Sequence, residues 1–432
     1  MARQGILISA PASGCGKTLV TLALLRLLAR RGISVTPAKS GPDYIDPGFH
    51  RLACGRESVN LDAYAMQPQT ILRLAGCGDG LLAVEGAMGL FDGAANGRGS
   101  AAALAQMLGL PVILVVDCAR QAQSVAALVR GFAMHDPAVG IDGLILNRVA
   151  SQRHETMLRA ALEPLAIPVL AALPAEPSLA IPSRHLGLVR AQELEAIERL
   201  CDRAADWLEA ALDIDGLLNV SRRAAIPAGN EHVDRLPPPG ARIAVARDDA
   251  FAFAYPHLLA GWREAGAELS FFAPLADEAP DIGADAVYLP GGYPELHAGR
   301  ISGAAAFRAG MTGSAMRGAL VYGECGGYMV LGDGLVDGEG TRHAMLGMLP
   351  LETSFQAPRR HLGYRQATPT NDAPFWTSAV TAHEFHYASI LSEDDAGRLF
   401  HASDATGQPL GPLGLYRGRV MGSFLHVIDG AA

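Results

Sequence analysis

The beginning of the chain constrains the fold most, because a short apolar run leads through small residues into an amphipathic helical pattern. The apolar run is "GILISA" from Gly5, the small residues lie in "PASGCGK", and the helical pattern is "TLVTLALLRLLARRG" from Thr18. A strand, a glycine-rich loop and a helix in this order direct backbone N–H groups and the helix N-terminus toward one point, which suits a bound phosphate. We therefore predict a phosphate-binding loop (P-loop) in an α/β fold.

The loop supplies the residue types that a nucleoside triphosphate needs. Lys17 would reach the β- and γ-phosphate oxygens, and the Thr18 hydroxyl would bind magnesium. The strict pattern has Gly where this chain has Pro11, so the loop is a variant. The ATP-binding residues that we predict from the loop are Ser13, Gly14, Gly16, Lys17 and Thr18. Lys39 is the only other lysine of the chain, and we expect it at the same site. The alternative explanation for the small number of lysines is a composition biased toward arginine.

A P-loop alone does not complete a magnesium site, so carboxylates are expected at other strand ends. Glu85 follows the apolar run "LLAV" and is the best candidate ligand. Asp43 and Asp46 lie in "GPDYIDP" after another short strand, where either could bind metal or substrate. The alternative for both aspartates is that Asx residues beside proline simply form turns.

Length and composition predict more than one domain. The chain has 432 residues, of which 50% are hydrophobic and 18% charged, so it can bury large cores. Alternating aliphatic runs and helical patterns in the first half indicate a mostly parallel, doubly wound sheet. A stretch rich in Pro and Gly separates this half from a second α/β series. We predict an ATP-binding domain at 1–221, a linker at 222–240 and a second α/β domain at 241–432.

Charge and cysteine content exclude several classes of protein. A net charge of −9 argues against general nucleic-acid binding, which needs a basic surface. The six cysteines lack the spacing of a zinc site or a disulfide framework. Apolar runs are too short to span a bilayer and no signal peptide is evident, so we expect a cytoplasmic protein without a membrane partner.

A second chemical motif, "GECGGYM", places Cys325 between glycines after the apolar run "ALVY". This pattern indicates a sharp strand-to-helix turn that presents a nucleophile, with the Gly326 N–H beside it for an oxyanion. The alternative is a small, buried, inert cysteine. A free thiol is mostly protonated at neutral pH, so a nucleophile would need a histidine. The candidate histidines are His361, His383, His386 and His426. His426 ends a β-like run, in the chain order expected for a Cys–His site.

Seven motifs together resemble one enzyme family. "GPDYIDPGFH", "EGAMGLFDG", "LILNRV" and "IPSRHLGLV" are similar to motifs of the cobyrinic and hydrogenobyrinic acid a,c-diamide synthases, which are dethiobiotin synthetase-like P-loop enzymes. "LPGGYPE", "GECGGYM" and "GSFLH" resemble the class I, triad-type glutamine amidotransferase domain of that family. The resemblance covers nearly the whole chain. It implies ATP- and glutamine-dependent amidation of the a and c acetates of a corrinoid acid through acyl phosphates, with Mg²⁺.

The resemblance also implies roles for residues of the first domain. Thr18, Asp43 and Glu85 would lie near magnesium. Asn147 of "LILNRV" would lie near the nucleotide base, although an Asn after a strand is also a common cap. The segments associated with the corrinoid or its activation contribute Tyr44, Ile45, Asp46 and Asp92.

In the second domain, the resemblance implies that Cys325 attacks the glutamine amide and that His426 activates the thiol. Gly292 of "LPGGYPE" would donate its N–H to the oxyanion. Related domains carry Glu two residues after the histidine, but this chain has Ile428 there. The site could work as a Cys–His dyad, or Asp429 or Glu384 could orient the histidine.

Two other functions fit parts of the pattern. A cobyric acid synthase-like ligase would share both sites and amidate different carboxylates. A nucleotide-dependent regulatory module would carry an inactive glutaminase. Positioning and partitioning ATPases are disfavoured, since they have a signature lysine where this chain has Ala12. The expected partners are glutamine, ATP and a corrinoid acid, and the pattern is compatible with a homo-oligomer.

Overall fold

A computed structural model describes residues 3–179, 191–226, 235–393 and 396–431. The chain divides into two compact units. The first unit comprises Met1–Tyr64 and Pro68–Val233, and the second comprises Ala65–Gln67 and Asp234–Ala432. Part of the predicted linker, residues 227–234, and the motif "IPSRHLGLV" at 181–189 lie outside the described residues.

The first unit contains one parallel sheet flanked by helices. Its described strands are β1 Gly5–Ser9, β2 Val35–Ser40, β3 Val59–Leu61, β4 Leu81–Glu85, β5 Val112–Asp117, β6 Ile141–Val149 and β7 Val169–Pro174. Its described helices are α1 Lys17–Arg30, α2 Asp46–Cys54, α3 Pro68–Gly76, α4 Ala101–Leu108, α5 Val125–His135, α6 Gln152–Leu162, α7 Ala191–Glu209 and α8 Ile214–Ser221. The strand order is β3-β2-β4-β1-β5-β6-β7, and neighbouring strands are parallel. This sheet confirms the predicted fold class.

The P-loop is held between two buried elements. Every residue of β1 is buried, as expected for a central strand of a parallel sheet. Helix α1 contributes Leu24, Leu25 and Leu28 to the same apolar core. Burial of each such leucine side chain stabilises the fold by about 1.5–3 kcal/mol. The strand and the helix therefore fix both ends of the loop that joins them.

The second unit is built on a mixed sheet. Its described strands are β8 Arg242–Ala246, β9 Glu268–Phe272, β10 Ala286–Leu289, β11 Leu320–Glu324, β12 Gly334–Val336, β13 Arg342–Ala344, β14 Leu351–Ser354, β15 His361–Pro369, β16 Val380–His386, β17 Ser389–Glu393, β18 Gly397–Asp404, β19 Pro409–Arg417, β20 Val420–Ser423 and β21 Leu425–Gly430. Its described helices are α9 Pro256–Glu264, α10 Ala298–Gly303, α11 Ala305–Met316 and α12 Gly326–Leu331.

Ten of the described strands form the larger sheet, in the order β21-β16-β15-β18-β19-β20-β11-β10-β8-β9. The five strands from β20 to β9 are parallel, and the remaining pairs are antiparallel. A smaller sheet has the order β13-β12-β14-β17. Strand β11 is buried along its length and ends one residue before Cys325. None of the described helices has the length and apolar character that a membrane span requires.

Candidate active sites

The P-loop joins β1 to α1 with two glycines in the left-handed region. The backbone angle φ is 86° at Gly14 and 89° at Gly16, a conformation that favours glycine. The side-chain amide of Asn147, at the end of β6, donates from Nδ2 to the Cys15 carbonyl oxygen at 2.9 Å. A Cβ at Gly16 would overlap this amide group. The loop is therefore packed against Asn147 with no room for a larger residue at Gly16.

Asn147 has a structural role, which was the alternative to base recognition. Its Oδ1 accepts a hydrogen bond from the Arg148 N–H at 2.9 Å, while its Nδ2 holds the loop. Both ends of the amide are therefore bonded within the chain. Base recognition by Asn147 stays a prediction.

Lys17 begins α1 and extends to the loop that follows β4. Its Nζ donates to the Met88 carbonyl oxygen at 2.6 Å. Burial lowers the pKa of Lys17 to about 8, and the nearby charge of Lys39 contributes in the same direction. A negatively charged ligand beside the ammonium would reverse this shift, because an opposite charge favours the charged form.

Glu85, at the end of β4, is fully buried and is held by three residues. Oε1 accepts from Thr18 Oγ1 at 2.7 Å and from Lys39 Nζ at 3.0 Å. Oε2 lies 2.8 Å from His50 Nε2. Burial opposes the charged carboxylate, but Lys39 and the hydrogen bonds from His50 and Thr18 outweigh it and hold the pKa of Glu85 well below its usual range. Glu85 is thus a buried, ionised carboxylate beside the first turn of α1.

Lys39 connects the carboxylates at the ends of β2 and β4. Its Nζ pairs with Asp46 Oδ2 at 2.5 Å and with Glu85, and it lies 3.8 Å from Asp43 Oδ2. Burial disfavours the ammonium, but these carboxylates outweigh it and raise the pKa of Lys39 above its usual value. The structure therefore brings Lys39, Asp43, Asp46 and Glu85 into one cluster, which we call the carboxylate cluster.

Asp43 and Asp92, two of the predicted site residues, accept hydrogen bonds from backbone N–H groups of their own loops. Asp43 Oδ1 accepts from the N–H groups of Ile45 and Asp46, at 2.8 and 3.1 Å, and so supports the start of α2. Asp92 Oδ2 accepts from the Gly89 N–H at 2.9 Å. The turn-forming role that was the alternative for Asp43 is therefore present, together with its position beside Lys39.

In the second unit, Cys325 lies on a strained turn between β11 and α12. Its φ is 47° and its ψ is −104°, in a region that non-glycine residues rarely occupy. A Cβ at Gly327 would overlap the Leu289 carbonyl oxygen, so only glycine lets α12 approach β10 this closely. These features match the nucleophile turn that the sequence predicts. Burial raises the pKa of the Cys325 thiol well above its usual value, and the nearby Glu295 adds to the effect.

Gly292 and Gly326, the two predicted oxyanion residues, lie beside this turn. A Cβ at Gly326 would lie 3.0 Å from the Gly292 nitrogen, so the backbones of the two predicted oxyanion residues are close neighbours. The Cys325 N–H donates to the Ser423 carbonyl oxygen at 2.8 Å and is already engaged. Gly292 and Gly326 stay the predicted donors to an oxyanion.

His426 lies on β21, near the same turn. Its ring packs so closely on Gly291 that a Cβ there would overlap the ring. Burial lowers the pKa of His426 to about 3, and the neighbouring His383 contributes in the same direction. Gly291, which His426 contacts, directly precedes Gly292. The Ser423 carbonyl, three residues before His426, accepts from the Cys325 N–H. His426, Cys325 and the predicted oxyanion residues therefore lie in one region of the second unit.

Two family models match the chain. A CobQ/CobB/MinD/ParA nucleotide binding domain matches residues 6–189, and a CobB/CobQ-like glutamine amidotransferase domain matches residues 242–431. A hydrogenobyrinate a,c-diamide synthase from Brucella abortus biovar 1 (strain 9-941) is 57% identical over 430 residues, which cover 99% of this chain and 98% of that protein. The chain belongs to the hydrogenobyrinate a,c-diamide synthase family.

Other members of the a,c-diamide synthase family are similar over their full lengths. The protein of that name from Rhizobium meliloti (strain 1021) is 55% identical over 99% of both chains. The one from Rhodobacter capsulatus is 51% identical over 99% of both chains. These matches confirm the family resemblance and the pairing of a nucleotide-binding domain with a glutamine amidotransferase domain.

Two other candidate histidines, His361 and His386, form a cluster with Glu384. His386 Nδ1 lies 3.1 Å from the Ala388 carbonyl oxygen, and its Nε2 lies 3.0 Å from Glu384 Oε1. Glu384 Oε2 accepts from Arg365 at 2.8 Å. His361 stacks on His386 with ring centroids 4.6 Å apart. Both carboxylate oxygens of Glu384 are thus engaged by residues other than His426.

Sequence reasoning missed His50 in the first unit. His50 closes the motif "GPDYIDPGFH" and lies on α2, with Nδ1 3.0 Å from Ser58 Oγ and Nε2 against Glu85. The ring is fully buried. A histidine four residues after Asp46 on a short helix was the available signal, because i and i+4 share a helix face.

Proposed function

We propose that the protein amidates the a and c acetate carboxylates of hydrogenobyrinic acid with ATP and glutamine, and that cobyrinic acid is the alternative substrate. The observation that carries this proposal is the 57% identity, over 99% of the chain, to a hydrogenobyrinate a,c-diamide synthase. The two candidate sites support it because they provide complementary halves of one amidation. The site of the first unit would make the electrophile, an acyl phosphate, and the site of the second unit would release the nucleophile, ammonia.

The first unit would activate the carboxylate. A substrate carboxylate oxygen attacks the γ-phosphorus of ATP, the bond to the β-phosphate oxygen breaks, and an acyl phosphate and ADP result. Lys17 would bind the phosphate oxygens. Hydroxyl and carboxylate oxygens are the ligands that magnesium prefers, so Thr18, Glu85 and Asp43 would hold the ion. Bound magnesium would neutralise charge on the phosphates. The adjacency of two of these ligands supports a shared ion, since Thr18 Oγ1 lies 2.7 Å from Glu85 Oε1.

The second unit would release ammonia from glutamine. The Cys325 sulfur attacks the amide carbon while His426 takes the thiol proton, and the oxyanion accepts hydrogen bonds from Gly292 and Gly326. His426 then protonates the leaving nitrogen, ammonia departs, and water hydrolyses the thioester to glutamate. Ammonia attacks the acyl phosphate and phosphate leaves. Ammonia in solution is mostly protonated at neutral pH and is then a poor nucleophile, so release of ammonia from glutamine within the enzyme is advantageous.

A cavity of about 380 Å³ suits glutamine. Its lining includes Arg359, Glu384 and Ser389, which can bind the carboxylate and ammonium groups of an amino acid. The cavity lies near the thiol, because Cys325 Sγ is 3.6 Å from the carbonyl oxygen of Phe385, which follows Glu384. We propose that glutamine binds in this cavity.

The division of labour is tested by two variants of the full chain. Cys325→Ala should abolish glutamine-dependent synthesis and retain synthesis with ammonium salts, whereas Lys17→Ala should lose synthesis from both nitrogen sources and retain some glutaminase activity. If Cys325→Ala loses both activities alike, the proposed division is wrong. Amidation of carboxylates other than the two acetates would instead favour a cobyric acid synthase-like ligase.

A further inference from the structure

Glu324 immediately precedes the proposed nucleophile and lies beside the proposed base. It is the last residue of β11, and its Oε2 lies 4.0 Å from His426 Nδ1. The Glu324 side chain is 2% exposed and that of His426 is 1% exposed. Both groups are therefore screened from water, and a charge that develops on either would be felt by the other.

Three donors fix the Glu324 carboxylate. Tyr288 of β10 donates to Oε2 at 2.7 Å, and Tyr322 of β11 donates to Oε1 at 2.7 Å. The Val427 N–H of β21 donates to Oε1 at 3.2 Å. A carboxylate has about four acceptor positions, two on each oxygen. Oε2, the oxygen nearest His426, therefore retains capacity for one more donor.

We propose that Glu324 positions His426 by accepting a hydrogen bond from its Nδ1–H. This inference rests on the proposed glutaminase function. With the proton held on Nδ1, Nε2 keeps its lone pair and can take the proton of the Cys325 thiol. The 4.0 Å separation exceeds a hydrogen bond, which spans about 3 Å. Glutamine binding would shorten it, since catalytic hydrogen bonds often tighten only when substrate is bound.

The position of Glu324 explains how the site can lack the usual glutamate. Ile428 occupies the position two residues after His426 and is 1% exposed in the apolar core. Glu384 bonds to His386 and Arg365, and its charge also favours the protonated form of His426. The orienting carboxylate is instead supplied by the strand that carries the nucleophile, from the position directly before it. Burial raises the pKa of Glu324 to about 7, although its three donors oppose this shift. A protonated His426 next to Glu324 would favour the ionised carboxylate.

The test is Glu324→Gln in the full chain, which keeps the shape of the side chain and removes its charge. Loss of an orienting carboxylate typically lowers kcat by about 10²- to 10⁴-fold, and we expect a fall of that size in glutaminase kcat with little change in KM for glutamine. Glu352→Gln is the matched control, because Glu352 pairs with Arg342 at 2.7 Å elsewhere in the same unit and should leave the activity unchanged.

A second measurement separates positioning from a merely structural role. The ¹⁵N chemical shifts of the His426 ring, assigned with a His426→Asn variant, report which nitrogen carries the proton. The wild-type protein should carry it on Nδ1, and Glu324→Gln should shift the population toward Nε2. Unchanged kcat in Glu324→Gln, or an unchanged tautomer, would overturn the inference. If Cys325→Ala also retained glutaminase activity, the proposed function itself would be wrong, so the two failures are distinguishable.

Discussion

Replacement of Lys39 by methionine tests the carboxylate cluster most sharply. The Lys39 side chain is 4% exposed, and it pairs with Asp46 and Glu85, whose side chains are 1% and 0% exposed. Methionine fills similar space without a charge, so both carboxylates would stay buried without the cation that they share. Removing one partner of a buried ion pair costs about 3–5 kcal/mol, and we expect Lys39→Met to destabilise the first unit by about that amount.

Hydrogen exchange of the full chain, read by mass spectrometry on peptides containing β4, measures this loss locally. A destabilisation of about 3–5 kcal/mol corresponds to exchange about 150- to 5000-fold faster. The control is Arg31→Met, because Arg31 pairs with Glu209 at the surface, where the two side chains are 42% and 35% exposed. An exposed pair contributes less than about 1 kcal/mol. An effect of Lys39→Met no larger than that of the control would refute the reasoning.

Lowering the pH should reduce the loss of stability that Lys39→Met causes. The pKa of Glu85 is held below its usual value in the folded protein, so its ionised form stabilises the fold above the usual glutamate range. This contribution is lost as pH falls through the lowered pKa. Without Lys39, burial would raise the pKa of Glu85, and acid would then favour the folded variant. The difference in exchange between wild type and Lys39→Met should therefore shrink between about pH 7 and about pH 5.

Three further variants test other parts of the two sites. Gly327→Ala should abolish glutaminase activity and retain ammonium-dependent synthesis, because the new Cβ would overlap the Leu289 carbonyl oxygen. Unimpaired glutamine hydrolysis would contradict the close approach of α12 to β10. Asn147→Ala removes the donor to the Cys15 carbonyl oxygen of the P-loop. We expect steady-state kinetics to show a KM for ATP raised by about tenfold, which corresponds to about 1.4 kcal/mol of binding free energy. Glu384→Gln should raise the KM for glutamine and leave the KM for ammonium unchanged, and equal effects on both would exclude the cavity as the glutamine site.

Local sequence signals were sufficient for both loops. The P-loop could be predicted because glycines, Lys17 and a helical pattern lie within a few residues of one another. The turn at Cys325 could be predicted for the same reason, since apolar residues and Gly326–Gly327 flank the cysteine. Family motifs then supported a common function, which the full-length relatives confirm at the level of family membership.

Contacts between distant strands could not be predicted from the sequence. Glu324 is next to Cys325 in the chain, but its relation to His426 depends on how β11, β20 and β21 are arranged. The hydrogen bond of Asn147 to the P-loop likewise depends on the position of β6 in the sheet. His50 was missed because its partner, Glu85, lies 35 residues away on another strand. Periodicity identifies buried faces, but it does not identify which polar residues meet across a core.

The most direct test of the central claim is to follow the amide nitrogen of glutamine into the product. The full chain is given hydrogenobyrinic acid, ATP and glutamine labelled with ¹⁵N at the side-chain amide, and the product is analysed by mass spectrometry with fragmentation. We predict two labelled amides, on the a and c acetates, and no incorporation from glutamine by Cys325→Ala. Label on other carboxylates, or label transferred by Cys325→Ala, would contradict the account.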